Sequence, residues 1–373
     1  MDLEWYTFGM IMFGMLFFLL AVGIPVGFSL VIASVASLAI LGGGTRFLAD
    51  APGYFFHHLN SFAITCVPLF IMMALFAQRA GFGEDLFKSV GYWLRKLPGS
   101  LNVVGVATCA IFAAISGTSV ATAASVGLVA VPVYKKYNYN MKLAVGALAA
   151  GGGLGILIPP SVAMIMYCIV TEQSIGHMFA GGFLPGIMTA GLFIIYIIIR
   201  CIINPGLAPV IPKEALGDDV SLLKSILNVL PLLVLIGMVL CSIYLGIATP
   251  TESASIGAVG SAVIGLAYKR LSFKDILMAS IEGVRIGAFI ILIFLGALAL
   301  GHAAVRGGVS AGFSNYVVTL GFSPYTVLIM ILLVLMFLGF FMDATPIILT
   351  TMPIFFPLAR PQPKSIGEMP KHG

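Results

Sequence analysis

Charged side chains are scarce in this sequence. Only 9% of the 373 residues are Asp, Glu, Lys or Arg, whereas soluble domains carry about 25%. Hydrophobic residues make up 60% of the chain, and they form successive runs of about 18 to 25 residues, which match the roughly 30 Å core of a bilayer. The alternating pattern of an outer-membrane barrel is absent from the sequence. The composition therefore excludes a soluble domain and predicts an all-α polytopic membrane protein.

Catalytic and metal-binding signatures are also missing from the sequence. It has no GxxxxGKS/T loop for ATP hydrolysis, no HExxH zinc motif and no GxSxG nucleophile motif. Its five cysteines lie in or beside apolar segments without CxxC spacing, which is typical of small buried hydrophobic residues. Neither an Arg-rich voltage-sensing span nor a TVGYG-like filter is present. We therefore predict that the chain is not an enzyme.

Two apolar runs open the chain. The first extends from Trp5 to Leu20, follows the acidic residues Asp2 and Glu4, and continues into a second apolar run. A secretory signal peptide would instead begin with a basic segment and end in a cleavage site. We expect a retained membrane span here and not a signal peptide.

Three landmarks recur at a nearly constant offset of 225 to 227 residues. GIP ending at Pro25 recurs as GIATP ending at Pro250, RAGFG at Arg79 recurs as RGGVS at Arg306, and the small-residue stretch at Gly117 corresponds to FMDATP at Asp343. A fixed period of this kind indicates a duplicated architecture. We predict four segments in the chain, which are a first repeat at 1–200, a cytoplasmic linker at 201–224, an incomplete second repeat at 225–359 and a polar tail at 360–373.

The basic residues predict the orientation in the membrane. We treat the apolar runs at 100–116 and 118–133 as a re-entrant hairpin and place the N-terminus outside, on the periplasmic side. Fourteen Lys and Arg then lie in inside segments and only Arg46 and Arg306 in outside segments, as the positive-inside rule requires. The inside segments are 79–100, 134–142, 200–224 and 269–285. The same path makes a second hairpin at about 323–358 enter from outside, so the two repeats are predicted to be inverted.

Small and hydroxyl-bearing residues interrupt the first hairpin at SGTS, residues 116–119. Irregular backbone is tolerated at membrane depth only where it is buried in protein or lines a watery cavity. Gly117 permits a turn between two half-helices, and half-helix ends and hydroxyl oxygens can bind a small cation or an anionic group. The alternative is that these small residues only let helices pack closely.

A second interruption, GGGLGILIPPS, divides the predicted span at about 141–170. Three successive glycines and the pair Pro159–Pro160 cannot continue a helix, because proline lacks the N–H donor and clashes with the preceding turn. A broken span beside a broken hairpin indicates a transporter binding site. A kinked helix without a ligand stays the alternative.

Two further stretches of the second repeat contain acidic residues. Asp343 lies between apolar runs and is a functional candidate, although it can equally cap a half-helix that begins at Pro346. ATPTES at 248–253 predicts chiefly a helix start, with Glu252 in its first turn.

Five stretches together resemble the large membrane subunit of the TRAP (tripartite ATP-independent periplasmic) transporters, the DctM type. The similarity extends from about residue 5 to Ala359, and the stretches are PLFIMMALFAQRAGF, AISGTSVATAASVG, GGGLGILIPPSVAMIMY, ATPTESASIGAVG and FMDATPIILTTMPIFFPLA. The resemblance implies an ion-transporter-superfamily-like fold of the elevator type, with re-entrant hairpins and discontinuous spans in two inverted repeats. It also implies the bacterial inner membrane as the location.

The resemblance implies a sodium-driven importer of organic anions such as C4-dicarboxylates or sialic acids. The expected partners are a periplasmic substrate-binding protein, a small membrane subunit and the lipid bilayer, with no nucleic acid. Sodium ions are the coupling ions, and no other cofactor is expected. A stand-alone sodium/anion symporter of the same superfamily is the first alternative. An intramembrane enzyme that uses Ser116 or Ser119 is the second, although no base is found for either serine.

The resemblance also places two kinds of site in this sequence. The hairpin tip and the glycine-rich bend resemble one sodium site, the second tip resembles half of another, and the substrate is expected between the two tips. The implied cation-binding residues are Ser116, Gly117, Thr118, Ser119, Gly152, Gly153, Gly155, Pro159, Asp343, Ala344 and Thr345. The implied substrate-binding residues are Ser119, Thr122, Pro160, Ser161 and Thr345.

The end of the sequence departs from the pattern of the family. The repeat offset places the counterpart of Pro159 near position 385, beyond the last residue. After Ala359 the chain continues as RPQPKSIGEMPKHG, which is polar and proline-rich where the family is apolar. We expect a truncated or frame-shifted end, and for this sequence we expect poor transport or none.

Overall fold

The computed structural model describes residues 4–41, 53, 55–209 and 221–359. Within these ranges the protein consists of α-helices joined by turns and short 3₁₀ segments, and they contain no β-strand. The all-α prediction is therefore confirmed for the described part of the chain. The predicted tail at 360–373 and the central part of the predicted linker, 210–220, lie outside the described residues.

The structure contains fifteen numbered helices in the described ranges, and residues 55–59 add a short helical stretch before the third of them. The helices are α1 (Trp5–Ala21), α2 (Val26–Ile40), α3 (Cys66–Arg79), α4 (Phe82–Leu94), α5 (Ser100–Ser116), α6 (Ser119–Lys136), α7 (Met141–Gly153), α8 (Val162–Thr171), α9 (Ile175–Ile203), α10 (Leu222–Tyr244), α11 (Pro250–Ala267), α12 (Phe273–Arg306), α13 (Val309–Thr319), α14 (Pro324–Leu338) and α15 (Ala344–Ala359).

Four helical stretches of the described chain are long and apolar enough to cross a bilayer, namely Phe62–Arg79, Ile175–Ile203, Leu222–Tyr244 and Phe273–Arg306. Several other apolar helices have only 10–17 residues. At 1.5 Å per residue such helices rise about 15–25 Å, less than the roughly 30 Å of a bilayer core. Half-length helices of this kind are the elements from which re-entrant hairpins and discontinuous spans are built.

The chain divides into two compact units, residues 59–291 and residues 1–58 together with 292–373. The division follows contacts and cuts α12 near its middle, whereas the predicted repeats follow sequence similarity. The repeats and their inverted relation therefore stay predictions.

Small residues let the helices of unit 59–291 approach closely. A Cβ atom on Gly287 of α12 would lie 3.0 Å from the Cβ atom of Pro68 on α3. On α11, Ser253 and Ser261 are buried without exposed surface. Helix α11 begins as predicted, because Thr249 and Glu252 form a capping box in which each side chain binds the other's backbone N–H.

The unit formed by 1–58 and 292–373 is packed in the same way. The Ser34 hydroxyl of α2 lies 3.1 Å from the carbonyl oxygen of Gly296 on α12, to which it can donate. A side chain on Gly312 of α13 would collide with the Trp5 ring of α1. Small residues are thus required where these helices meet.

The cysteines match their predicted role with one exception. Cys66, Cys109, Cys168 and Cys201 are buried, but Cys241 is exposed on α10. Its exposure departs from the expected burial because much of α10 is itself exposed in the structure, including Leu233 and Val234, and a surface that faces lipid favours apolar residues as a core does.

Candidate functional site

The first hairpin is interrupted at the position that the sequence predicted. Helix α5 ends at Ser116 and α6 begins at Ser119. Between them Gly117 has φ +61°, a left-handed conformation that glycine adopts without steric cost. Thr118 is extended, and its hydroxyl oxygen accepts a hydrogen bond of 3.3 Å from the backbone N–H of Ala121. Thr118 therefore caps the second half-helix.

Three oxygen atoms converge behind this tip. The hydroxyl groups of Ser116 and Thr122 are hydrogen-bonded to each other, and the Thr122 hydroxyl lies 2.8 Å from the carbonyl oxygen of Thr118. The Ser116 hydroxyl lies 3.3 Å from the same carbonyl. The two hydroxyl groups have one proton each, so at most two lone pairs of the three oxygen atoms accept a hydrogen bond within this cluster. The other lone pairs can coordinate a cation. Ser116 is 2% exposed and Thr122 is 0% exposed.

The second interruption divides the predicted span at 141–170 into two helices. Helix α7 ends at Gly153, a 3₁₀ turn covers Leu154–Ile156, and α8 begins at Val162. The Pro159–Pro160 peptide bond is cis. The Ser161 hydroxyl donates to the carbonyl oxygen of Ile156 at 2.9 Å. The bend is thus folded back on itself and lies among buried residues.

The hairpin tip and the bend are in direct contact. The backbone N–H of Val162 donates to the carbonyl oxygen of Gly117 at 3.0 Å. A Cβ atom on Gly117 would lie 3.0 Å from the carbonyl oxygen of Pro160, and one on Gly155 would lie 2.6 Å from the Thr122 hydroxyl oxygen. A Cβ atom on Gly152 would lie 3.1 Å from the carbonyl oxygen of Ser119. Glycine is required at these positions because backbone and hydroxyl groups occupy the space.

Most of the predicted residues of the first site are therefore brought together. Gly153 differs from its neighbours, since nothing lies within 4 Å of an added Cβ atom there. Thr122 was predicted only to bind substrate, but its hydroxyl lies at the centre of the oxygen cluster. Its spacing of four residues from Thr118 does not by itself point to this role, because a Thr hydroxyl commonly lies against the carbonyl oxygen four residues earlier, as that of Thr171 does.

The second tip lies in the other unit, between α14 and α15. Asp343 is exposed and directly precedes α15, whose first residue is Ala344. Thr345 is 8% exposed. The expected half-helix start at Pro346 is wrong by two residues. Pro346 is the third residue of the helix, which is tolerated because the first N–H groups of a helix have no intrahelical partner.

The chemistry of the first site is that of neutral oxygen atoms. The described residues contain no group of three His, Cys, Asp or Glu side chains that could hold a metal ion. Hydroxyl and carbonyl oxygens at broken helices are the ligands that coupling cations use in secondary transporters. The oxygen set therefore fits Na⁺ better than a transition metal. The predicted substrate position between the two tips stays a prediction.

Comparison with known proteins now identifies the family. A model of the DctM component of tripartite ATP-independent periplasmic transporters matches residues 13–361. The chain belongs to the DctM family. Members of this family are membrane permease subunits of transporters and not enzymes, so the prediction that the chain is not an enzyme is confirmed.

Three relatives show how far the similarity of this DctM protein extends. The C4-dicarboxylate TRAP transporter large permease protein DctM of Pseudomonas aeruginosa is 30% identical over 82% of this chain and 70% of its own length. The protein of the same description from Rhodobacter capsulatus is 30% identical over 94% of this chain and 81% of its own length. The sialic acid TRAP transporter permease protein SiaT of Haemophilus influenzae is 30% identical over 91% of this chain and 54% of its own length.

Proposed function

We propose that this DctM-family chain is the large permease subunit of a sodium-coupled secondary transporter that imports small organic anions. The observation that supports the proposal is the buried oxygen cluster of Ser116, Thr118 and Thr122 between two interrupted helices. The family works in general with a small membrane subunit and a binding protein. We propose the same partners for this chain, with a periplasmic binding protein that delivers the anion.

The first proposed sodium site combines the hairpin tip with the bend. The oxygen atoms of the cluster would hold the ion. Gly152 and Gly155 approach the hairpin tip closely, and because they have no side chain they leave the space beside these oxygen atoms open. Gly153 and Pro159 belong to the proposed site through the family resemblance. The second proposed site contains Asp343, Ala344 and Thr345. Inward movement of one Na⁺ gains about 2.3 kcal/mol per 100 mV, so two ions can offset the cost of carrying an anion inward.

The proposed substrate is a carboxylate. Relatives are described as transporters of C4-dicarboxylates and of sialic acid, which share this group. Two half-helices, α6 and α8, begin close together after Thr118 and Ser161, and helix N-termini favour negative charge. The proposed contacts of the anion are Ser119, Thr122, Pro160, Ser161 and Thr345.

The proposed mechanism is an elevator movement, with the protein in the bacterial inner membrane and its N-terminus on the periplasmic side. Its basis is the family membership, the interrupted helices and the asymmetry of basic residues. Because movement of one body carries the ions and the anion together, the tip and the bend should stay in contact throughout the cycle.

Co-purification tests the partner part of the proposal. The tagged chain is expressed with the small membrane subunit from the same genome, solubilised in mild detergent and isolated on its tag. We expect a stoichiometric complex that adds the periplasmic binding protein when substrate is present. A chain that stays alone, and that binds substrate directly without the binding protein, would instead indicate the stand-alone symporter.

A further inference from the structure

Helix α12 is longer than a bilayer core is thick. Its 34 residues rise about 51 Å at 1.5 Å per residue, against roughly 30 Å of hydrocarbon. The excess is expected at the N-terminal end, because four of the five charged residues of the helix, Lys274, Asp275, Glu282 and Arg285, lie in its first half, and only Arg306 lies at the other end. That half therefore lies at the level of the lipid headgroups.

The start of α12 is firmly defined. The backbone N–H of Asp275 donates to the Ser272 hydroxyl oxygen at 3.2 Å, and the Asp275 carboxylate accepts from the Ser272 backbone N–H at 2.9 Å. This reciprocal pair is a capping box, which fixes where a helix begins. Residues from Phe273 onward consequently keep a regular helical spacing.

One face of this half is packed against α3. Ala279 is completely buried, and a Cβ atom on Gly283 would lie 2.8 Å from the Met72 side chain. The Glu282 carboxylate accepts a hydrogen bond of 2.7 Å from the Arg79 guanidinium. These contacts fix the rotation of α12, so the residues of its opposite face are held outward.

The opposite face presents an apolar stripe. Phe273 is 81% exposed, Leu277 62%, Ile281 55% and Val284 56%. Their spacing of four, four and three residues places them in one line along the helix. A stripe of this kind at headgroup level is the face that an interfacial helix lays against acyl chains.

Basic side chains flank the stripe. Lys274 and Arg285 follow Phe273 and Val284 in the chain, are exposed, and are eleven residues apart, which is about three helical turns. Lys269 is exposed in the turn before the helix. The nearby acidic groups are engaged elsewhere, Asp275 with Ser272 and Glu282 with Arg79. Asp275 keeps its negative charge, because its partner Ser272 is neutral, but the three cations Lys269, Lys274 and Arg285 still leave this surface with a net positive charge.

We propose that this surface binds anionic phospholipids. Phosphate-bearing headgroups lie against Lys269 and Lys274 at one end of the stripe and against Arg285 at the other, and the acyl chains lie along Phe273, Leu277, Ile281 and Val284. Basic residues at the end of a membrane helix attract anionic lipid, and the adjoining stripe supplies the apolar half of the same ligand. Nothing in this proposal depends on transport or on sodium.

Native mass spectrometry of the purified chain tests the proposal with dioleoyl phosphatidylglycerol and dioleoyl phosphatidylcholine as the probes. The test variant combines Lys269→Gln, Lys274→Gln and Arg285→Gln. The control combines Lys135→Gln, Lys136→Gln and Lys142→Gln, which remove the same charge from exposed residues elsewhere. We expect the wild type and the control to prefer phosphatidylglycerol by about fivefold for each of the three side chains, and the test variant to bind both lipids equally.

Three outcomes would overturn the proposal. The test variant keeps the preference for phosphatidylglycerol, the control loses as much of it as the test variant, or the wild type shows no preference. Thermal unfolding of the three proteins without added lipid checks that each is folded. We expect similar unfolding temperatures, because the substituted side chains are exposed.

Discussion

Gly153 and Gly155 lie two residues apart in the same bend but have different surroundings. An added Cβ atom on Gly155 would lie 2.6 Å from the Thr122 hydroxyl oxygen, whereas one on Gly153 would meet nothing within 4 Å. The sequence predicted both as cation-site residues. The structure shows that only Gly155 is constrained by space.

Substitution of the two glycines should therefore have opposite consequences. We expect Gly155→Ala to lower the free energy of unfolding by about 1–3 kcal/mol, because the methyl group displaces the Thr122 hydroxyl from a packed interior. Gly153→Ala should be neutral or should stabilise by up to about 1 kcal/mol, since alanine favours helix. Thermal unfolding in detergent measures both changes. Equal stability of the two variants would contradict the contact between bend and tip.

The residues at the breaks could be predicted from sequence because their signals are local. Gly117 permits a turn, and the pair Pro159–Pro160 cannot continue a helix. The three successive glycines were expected to help break the span, but they are helical and end α7 at Gly153, because glycine only weakens a helix. The importance of Thr122 as a cluster oxygen was not predicted, because it depends on which way a side chain of α6 points. The hydrogen bond from Val162 to Gly117 joins residues 45 positions apart, and no local signal encodes it.

At the scale of elements, an ion pair joins the end of α3 to α12. The Arg79 guanidinium lies 2.7 Å from the Glu282 carboxylate, with 26% and 45% of the two side chains exposed. Arg79 also lies 3.5 Å from the carbonyl oxygen of Asp275. The pair helps to fix the rotation of α12 on which its outward face depends.

A double-mutant cycle measures what this ion pair contributes. We expect Arg79→Gln and Glu282→Gln each to lower the free energy of unfolding by about 0.5–1 kcal/mol, as for partly exposed pairs. The double variant should lose less than the sum of the two. The exchanged pair Arg79→Glu with Glu282→Arg should recover part of the loss. Strictly additive effects would show that the pair contributes nothing.

Helix boundaries were predicted with the accuracy that their signals allow. The predicted hairpin limb at 118–133 continues as a helix to Lys136, and the apolar run from Trp5 to Leu20 continues as a helix to Ala21. A run of apolar residues indicates which part of the chain lies in the membrane. The end of a helix depends instead on capping residues and on the turn that follows it. The breaks marked by glycine and proline were therefore placed better than the helix ends marked only by loss of apolar residues.

At the scale of the whole molecule, the sequence predicts the orientation in the membrane. Lys142 and Arg306 are both exposed and are predicted on opposite sides. In a Cys241→Ser background, we expect an impermeant maleimide to label Arg306→Cys in intact spheroplasts and Lys142→Cys only after permeabilisation. The other described cysteines are buried and serve as the unlabelled background. The reverse labelling pattern would show that the topology is inverted.

Composition and family membership define the whole molecule more fully than local patterns do. The scarcity of charge predicted a membrane protein, and the combination of five motifs led to the family that the comparisons confirm. The inverted repeats and the elevator movement stay predictions, because they concern relations between segments and between states.

Sodium binding at the oxygen cluster is the central claim, and thermal unfolding in NaCl against KCl at equal concentration tests it most directly. Thr122 and Thr171 supply a matched pair, since each hydroxyl lies 2.8 Å from the carbonyl oxygen four residues earlier and both side chains are buried. We expect Na⁺ to stabilise the wild type and Thr171→Val by about 1.4 kcal/mol per tenfold concentration above the dissociation constant, and to stabilise Thr122→Val much less. Equal unfolding temperatures in NaCl and KCl for the wild type, or an equal loss in both variants, would contradict the account.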